Sequence, residues 1–461
     1  MAIIGAFMVP HPPIIVEEIG HRREKEIEKT IEGYKEIARQ IAVLKPETII
    51  ITTPHSVIYS DYFHISPGTS ASGDFGQFGA KKVSLQVIYD TGFVNELTQV
   101  FEENDFSAGT LGQKNKNLDH GTMVPLYYIN QEYKDYKLVR IGLSGQSFLA
   151  HYTLGQYIKE TSEKLNRKVV IVASGDLSHK LTEDGPYGFS PKGPEYDEKI
   201  MEIMSRGDFL ELFHFSNQLC QDAGECGHRS FLIMAGALDK TSVKPECLSY
   251  AGPYGVGYGI CSYKIISSDE SRNFGELFLQ EYRNEVLTKK SNEDEYVQLA
   301  RFSLESFIIS RKIIAVPGYL TKEMTEKQAG VFVSLKKNGE LRGCIGTITP
   351  VRDVIAEEII FNAVSAGVHD PRFNPVTEDE LKDLVYSVDI LGETEKIQSQ
   401  DQLDVKKYGV IVTNGNRRGL LLPNLDGVDS VREQIDIAKR KAGISENEAV
   451  EMERFEVVRH V

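Results

Sequence analysis

The chain has 461 residues, of which 41% are hydrophobic and 26% charged, and its formal net charge is −15. This length suits two domains with real cores, and the composition excludes a disordered chain. The acidic balance argues against a general nucleic-acid binder or a protein of anionic membrane surfaces.

No apolar run approaches the roughly 18–20 residues of a membrane helix. The opening MAIIGAFMVPHPPII lacks a basic leader, and the five cysteines are sparse. The expectation is therefore a reducing cytoplasm with no membrane span and no disulfide framework.

In chain order, the first part reads as α/β. Residues 2–9 form a short apolar run followed by a loop with three prolines. Residues 22–44 place Ile27, Ile31, Tyr34, Ala38 and Ile41 on one helical face. TIIITT at 48–53 is β-branched and reads as a buried strand, as do 138–143 and 169–174. A helical stretch near 150–165 separates the last two. Strands alternating with helices predict a sheet covered on both faces, with chemistry on loops at the strands' carboxyl ends.

Composition turns polar near 266–295, where SSDESRN and TKKSNEDE flank an amphipathic FGELFLQEYRNEVL. The expected organisation is a first domain over 1–268, a linker or helix over 269–289, and a smaller α+β domain over 290–461. That second domain begins with a helix near 294–310. Strands at 330–335 and 341–347 flank KKNGE, whose Asn338-Gly339 predicts a hairpin. A helix near 351–366, a strand near 384–390, a hairpin at NGNRRG, a helix from Asp429 to 442 and a final strand complete it.

Nine of the eleven histidines precede residue 230. Three of them follow predicted strands: His11 in VPHPP, His55 in TTPHS and His179 in SGDLSH. Imidazole is the commonest protein metal ligand and titrates near neutrality. A fourth region, DAGECGHRSFLIMAGAL, carries Glu225, Cys226 and His228 on a turn before an apolar helix. Two imidazoles with the Glu225 carboxylate match the facial arrangement of non-haem Fe(II). Two imidazoles with the Cys226 thiolate also suit zinc or copper. The plainer alternative gives Glu225 to helix capping and Cys226 to the core. His120, in LDHGTMVPL, precedes an apolar helix and is a candidate outer donor. Asp119 before it fits an N-cap.

PHPP, TTPHS, LDHGTMVPL and SGDLSH, in this order, resemble the LigB-like class III extradiol dioxygenases and the related Memo family over roughly 1–265. The resemblance implies Fe(II) on His11 and His55, His179 as catalytic acid/base, and His120 lining the substrate pocket. It places Cys226 where the dioxygenases carry their ligand glutamate, with Glu225 one residue away. The implied activity is a non-haem oxidoreductase acting on an aromatic or oxygen-rich small molecule. Asp176 and Ser178 are the candidates to orient His179.

LRGCIGT (341–347), SAGVHDPRFNPVTEDEL (365–381) and RRGLLLPNL (417–425) resemble the AMMECR family over roughly 290–461. Read from the residues, Cys344 lies on a strand between glycines, and Arg342 and Arg372 offer guanidinium forks for an anion. Related domains often accompany a radical-SAM protein, which the resemblance makes a candidate partner. The two rival readings are a non-catalytic metal-binding scaffold for such a partner and a zinc hydrolase.

Overall fold

A computed structural model describes residues 2–114, 117–425, 428 and 430–461. The chain divides into two compact units, Met1–Phe278 and Leu279–Val461. The division falls inside the helix Phe274–Asn292.

The first unit is built on a six-stranded sheet. Its spatial order is Lys137–Gly142, Thr48–Thr53, Val169–Ser174, Ile3–Val9, Tyr258–Ser268, Thr241–Ala251. The first four strands are parallel to one another. The last two join antiparallel. Alternate residues of each parallel strand enter different cores. Ile50, Val139, Ile171 and Ala173 face one cluster. Ile49, Ile51, Val170 and Val172 face the other. A sheet buried on both faces needs apolar residues at every position, which is why these strands read as unbroken runs.

The first face is covered by the helices Thr91–Glu103, Phe148–Lys164, Lys192–Arg206 and His228–Ala237. The second is covered by Glu28–Leu44 and His120–Glu132. Three strands, Ile3–Val9, Thr48–Thr53 and Val169–Ser174, thus end side by side at one carboxyl edge. The loops carrying His11, His55 and His179 leave from that edge.

In the second unit, the strands run Glu340–Gly346, Val331–Lys337, Leu384–Leu391, Glu451–His460, Tyr408–Asn414, Arg417–Leu421, all antiparallel. The first hairpin turns through Asn338 and Gly339, both at positive φ (53° and 80°), as a two-residue hairpin requires. Helices Glu295–Ser310 and Ile355–Val368 share one core with the first strands. Helix Val431–Lys441 shares another with the last ones. Asp429, the expected start of that helix, lies outside the described residues.

Candidate metal centre

Three segments far apart in sequence deliver one donor atom each to the carboxyl edge. The ligand atoms of His11, His55 and Cys226 lie within 4.8 Å of one another. His11 Nε2 is 2.9 Å from His55 Nε2 and 3.6 Å from Cys226 Sγ.

His11 is buried and held in one tautomer. Ser174 Oγ donates to the Gly121 carbonyl at 2.6 Å, so toward His11 it accepts. His11 Nδ1 therefore donates to it at 2.9 Å, which leaves the Nε2 lone pair directed at the other two donors. An outer partner that fixes the ring in this way is the usual companion of a metal-ligating histidine. The His11 amide donates to Asp176 Oδ1 at 2.7 Å, which pins the loop after the first strand.

His55 is positioned through Thr53. The His55 amide donates to Thr53 Oγ1 at 3.2 Å, and that hydroxyl donates to Asp119 Oδ1 at 2.7 Å. Asp119 is the N-cap of helix His120–Glu132, accepting from Thr122 N. Its other oxygen is 3.4 Å from a nitrogen of the buried Arg140. The capping role expected for Asp119 is thus present, and the same carboxylate also braces the His55 loop.

Cys226 reaches the site because two backbones touch. A Cβ built on Gly175 would lie 2.1 Å from the Cα of Gly227. At this approach the Asp176 amide faces Cys226 Sγ at 3.3 Å, and the Cys226 amide donates to the Asp176 carbonyl at 3.3 Å. Gly175→Ala is expected to separate the two loops, costing about 1–3 kcal/mol of stability. It should also weaken metal binding. Denaturant unfolding and metal titration of the variant check both.

Of the two candidates for the third ligand, Glu225 stands apart from the cluster. Its carboxylate accepts the His228 amide at 2.6 Å, at the start of helix His228–Ala237. This is the helix-end role that a carboxylate before an apolar helix offers. Cys226→Ser is therefore expected to lose more metal affinity than Glu225→Gln, together with any thiolate-to-metal charge-transfer band. The reverse ranking by titration and absorption spectroscopy would make the carboxylate the ligand.

His120 lies beside the cluster, with its ring centroid 4.0 Å from that of His55 and 5.3 Å from that of His11. His179 donates its Nδ1 proton to the Gly224 carbonyl, leaving Nε2 as an acceptor. Neither Asp176 nor Ser178 orients this ring, contrary to expectation. Asp176 is committed to the His11 amide, and the Ser178 hydroxyl donates to Ala223 O. Two aromatic rings flank the site: Phe78 is 5.5 Å from His120 and Tyr187 is 5.3 Å from His179.

Burial dominates the electrostatics. It pushes His11 well below the usual histidine range, and the neighbouring histidines add to the shift. Loss of hydration, then His120, takes His55 down to about 4, although part of the residue faces solvent. Burial also lowers His120 and His179. It pushes Asp176 and Glu225 up to about 7 and the Cys226 thiol up as well. The cluster is thus two neutral imidazoles and a thiol that holds its proton. These donors fit a divalent transition metal, whose charge favours the thiolate.

The second unit treats its expected site differently. Arg342 makes a two-pronged contact with Glu380, both at 2.9 Å. Arg372 does the same with Asp370 at 2.9 and 2.7 Å. Both forks contact carboxylates of the chain itself. Cys344 is half-buried. Its amide donates to Asp370 at 2.9 Å, and Ser334 Oγ lies 3.3 Å from its sulfur.

The residues missed in sequence are those that hold the ligands: Ser174, Thr53 and Arg140, and the aromatic pair Phe78 and Tyr187. Ser174 and Thr53 carry a faint signal, each as the hydroxylated last residue of its strand. The others carry none.

Fold and site together define an α/β protein with a candidate His–His–Cys centre at the carboxyl edge of its sheet. The chain belongs to the family described as the catalytic LigB subunit of aromatic ring-opening dioxygenase, matched over residues 5–261, and it carries an AMMECR1 domain over 297–460. A Clostridium acetobutylicum protein, CA_C1420, is 44% identical over 100% of this chain and 99% of its own. A Thermotoga maritima protein is 48% identical over 36% of this chain and 98% of its own. A crystal structure of an uncharacterized Pyrococcus horikoshii protein, PH0010, is similar at 30% identity over 36% of this chain and 88% of that one, with a TM-score of 0.34. No helix among the described residues is long and apolar enough to cross a membrane.

Proposed function

We propose that the first unit is a non-haem, Fe(II)-dependent oxidoreductase acting on an aromatic or oxygen-rich small molecule. The observation that carries this reading is the convergence of His11, His55 and Cys226 at one sheet edge, with His120 and His179 beside them. Membership in a dioxygenase family supports the redox class. Phe78 and Tyr187 support a planar substrate, since aromatic rings favour stacked or edge-on partners.

His11, His55 and Cys226 would hold the metal, which supplies Lewis acidity and one-electron chemistry when bound. The remaining roles belong to the protein. Ser174 and Gly121 keep His11 in the ligating tautomer. Asp119, through Thr53, keeps the His55 loop in place. His179 is neutral at physiological pH and commits Nδ1 to the Gly224 carbonyl, so its Nε2 would accept a proton from a substrate hydroxyl and later return it. His120 offers a hydrogen bond to a substrate oxygen.

Elemental analysis of anaerobically purified full-length protein tests the proposal. Stoichiometric iron is the expected result. A specific observation favours a second reading: the third donor is sulfur, and two histidines with a cysteine also suit a zinc hydrolase. Stoichiometric zinc without iron would select it. Absence of any metal would leave the domain a scaffold, with a radical-SAM protein as its candidate partner.

A further inference from the structure

Two cysteines outside the metal centre face each other on the antiparallel pair at the sheet's edge. Strands Thr241–Ala251 and Tyr258–Ser268 pair Ile260 with Ser249 and Cys261 with Cys247. Leu248 is therefore the extra residue of a bulge. A regular ladder continued from Ile260 would have set Cys261 against Leu248 instead.

Residues directly opposed on antiparallel strands have Cα atoms about 4.5–5.5 Å apart. That spacing lies inside the window of roughly 4.4–6.8 Å that a disulfide spans. Directly opposed residues project from the same face of the sheet, so the two thiols adjoin. Both are free, Cys247 exposed and Cys261 buried. The contact takes Cys247 down to about 7 and, with burial, pushes Cys261 up. One thiol is accessible and ionises readily, and its neighbour is protected. This is the asymmetry of an attacking and a resolving cysteine.

We propose that Cys247 and Cys261 are a reactive thiol pair, oxidised reversibly to a cross-strand disulfide by exchange with a small-molecule disulfide. The Cys247 thiolate attacks one sulfur of the reagent. The reagent's sulfur–sulfur bond breaks, and the released thiolate takes a proton from solvent. Cys261 then gives its proton to solvent and attacks the Cys247 sulfur of the mixed disulfide, displacing the second half of the reagent as a thiol. Two protein thiols lose two electrons, and one reagent disulfide becomes two thiols. A dithiol reductant runs the exchange backward.

The full-length protein, reduced and then freed of reductant, would be incubated with oxidised glutathione and mapped as non-reduced peptides. The expected product is a linked peptide pair joining Cys247 to Cys261, lost on reduction. Cys261→Ser and Cys261→Ala should both stop at a glutathione adduct on Cys247, so misfolding of one variant does not decide the matter. Cys247→Ser should give neither product. N-ethylmaleimide should label Cys247 ahead of the other four cysteines. The proposal is overturned if folded wild-type protein yields no linked pair. It is equally overturned if glutathione reaches Cys226 or Cys344 before Cys247.

Discussion

His55→Ala is expected to abolish stoichiometric metal binding while leaving the fold of the first unit intact. Several observations make this the largest expected effect of any single change. Among the described residues, His55 supplies one of three converging donor atoms, at 2.9 Å from His11 Nε2. Losing an outer partner of a ligand typically costs about 10–100-fold in affinity. Losing the ligand itself should exceed that. His55 sits in a loop after its strand and is partly exposed, so no core cavity opens. His11→Ala should also lose metal, but His11 is buried and bonded to Ser174, so a stability loss accompanies it. Titration with Fe(II) under anaerobic conditions and thermal unfolding separate the two effects. Full occupancy at unchanged affinity in His55→Ala would remove this residue from the ligand set.

His179→Gln is expected to keep metal, fold and near-normal substrate binding while turnover falls by about 10²–10⁴. The reasoning starts from its hydrogen bond. Nδ1 is committed to the Gly224 carbonyl, so Nε2 is the nitrogen that exchanges protons. Burial lowers its pKa below the ordinary value near 6.5. The sign follows directly. The ring is neutral and ready to accept at neutral pH, and its contribution is lost as pH falls through the lowered pKa. Wild-type kcat/KM should therefore drop on the acid side, and His179→Gln should lose that limb. Metal loss in the variant would recast His179 as a ligand. Unchanged turnover would make it a structural histidine.

What was legible in the sequence is set by burial. The parallel strands are apolar at every position because both their faces are covered, and the histidines that follow them could be assigned to one edge. The antiparallel strands were harder. Thr241–Ala251 mixes exposed and buried residues and contains Pro245. Ser70–Phe75 and Ala80–Ile88 form a hairpin with partly exposed faces, and they carry no continuous apolar run.

At the site, position after a predicted strand singled out His11 and His55, and a polar turn before an apolar helix singled out residues 225–226. The choice between Glu225 and Cys226 depends on which side chain the turn aims inward, and that is fixed by the contact of Gly175 with Gly227. Arg342 and Arg372 show the opposite limit. A guanidinium signals affinity for an anion, but only the fold reveals that Glu380 and Asp370 lie against these two.

The central claim is that two imidazoles and one thiolate, drawn from the ends of a single sheet edge, form one metal site. X-ray absorption at the metal edge of the anaerobically loaded full-length protein tests it most directly. The account predicts one sulfur and two imidazole scatterers around the metal in wild-type protein, with the sulfur signal gone in Cys226→Ser. A first shell of nitrogen and oxygen alone in the wild type, unchanged by Cys226→Ser, would contradict it.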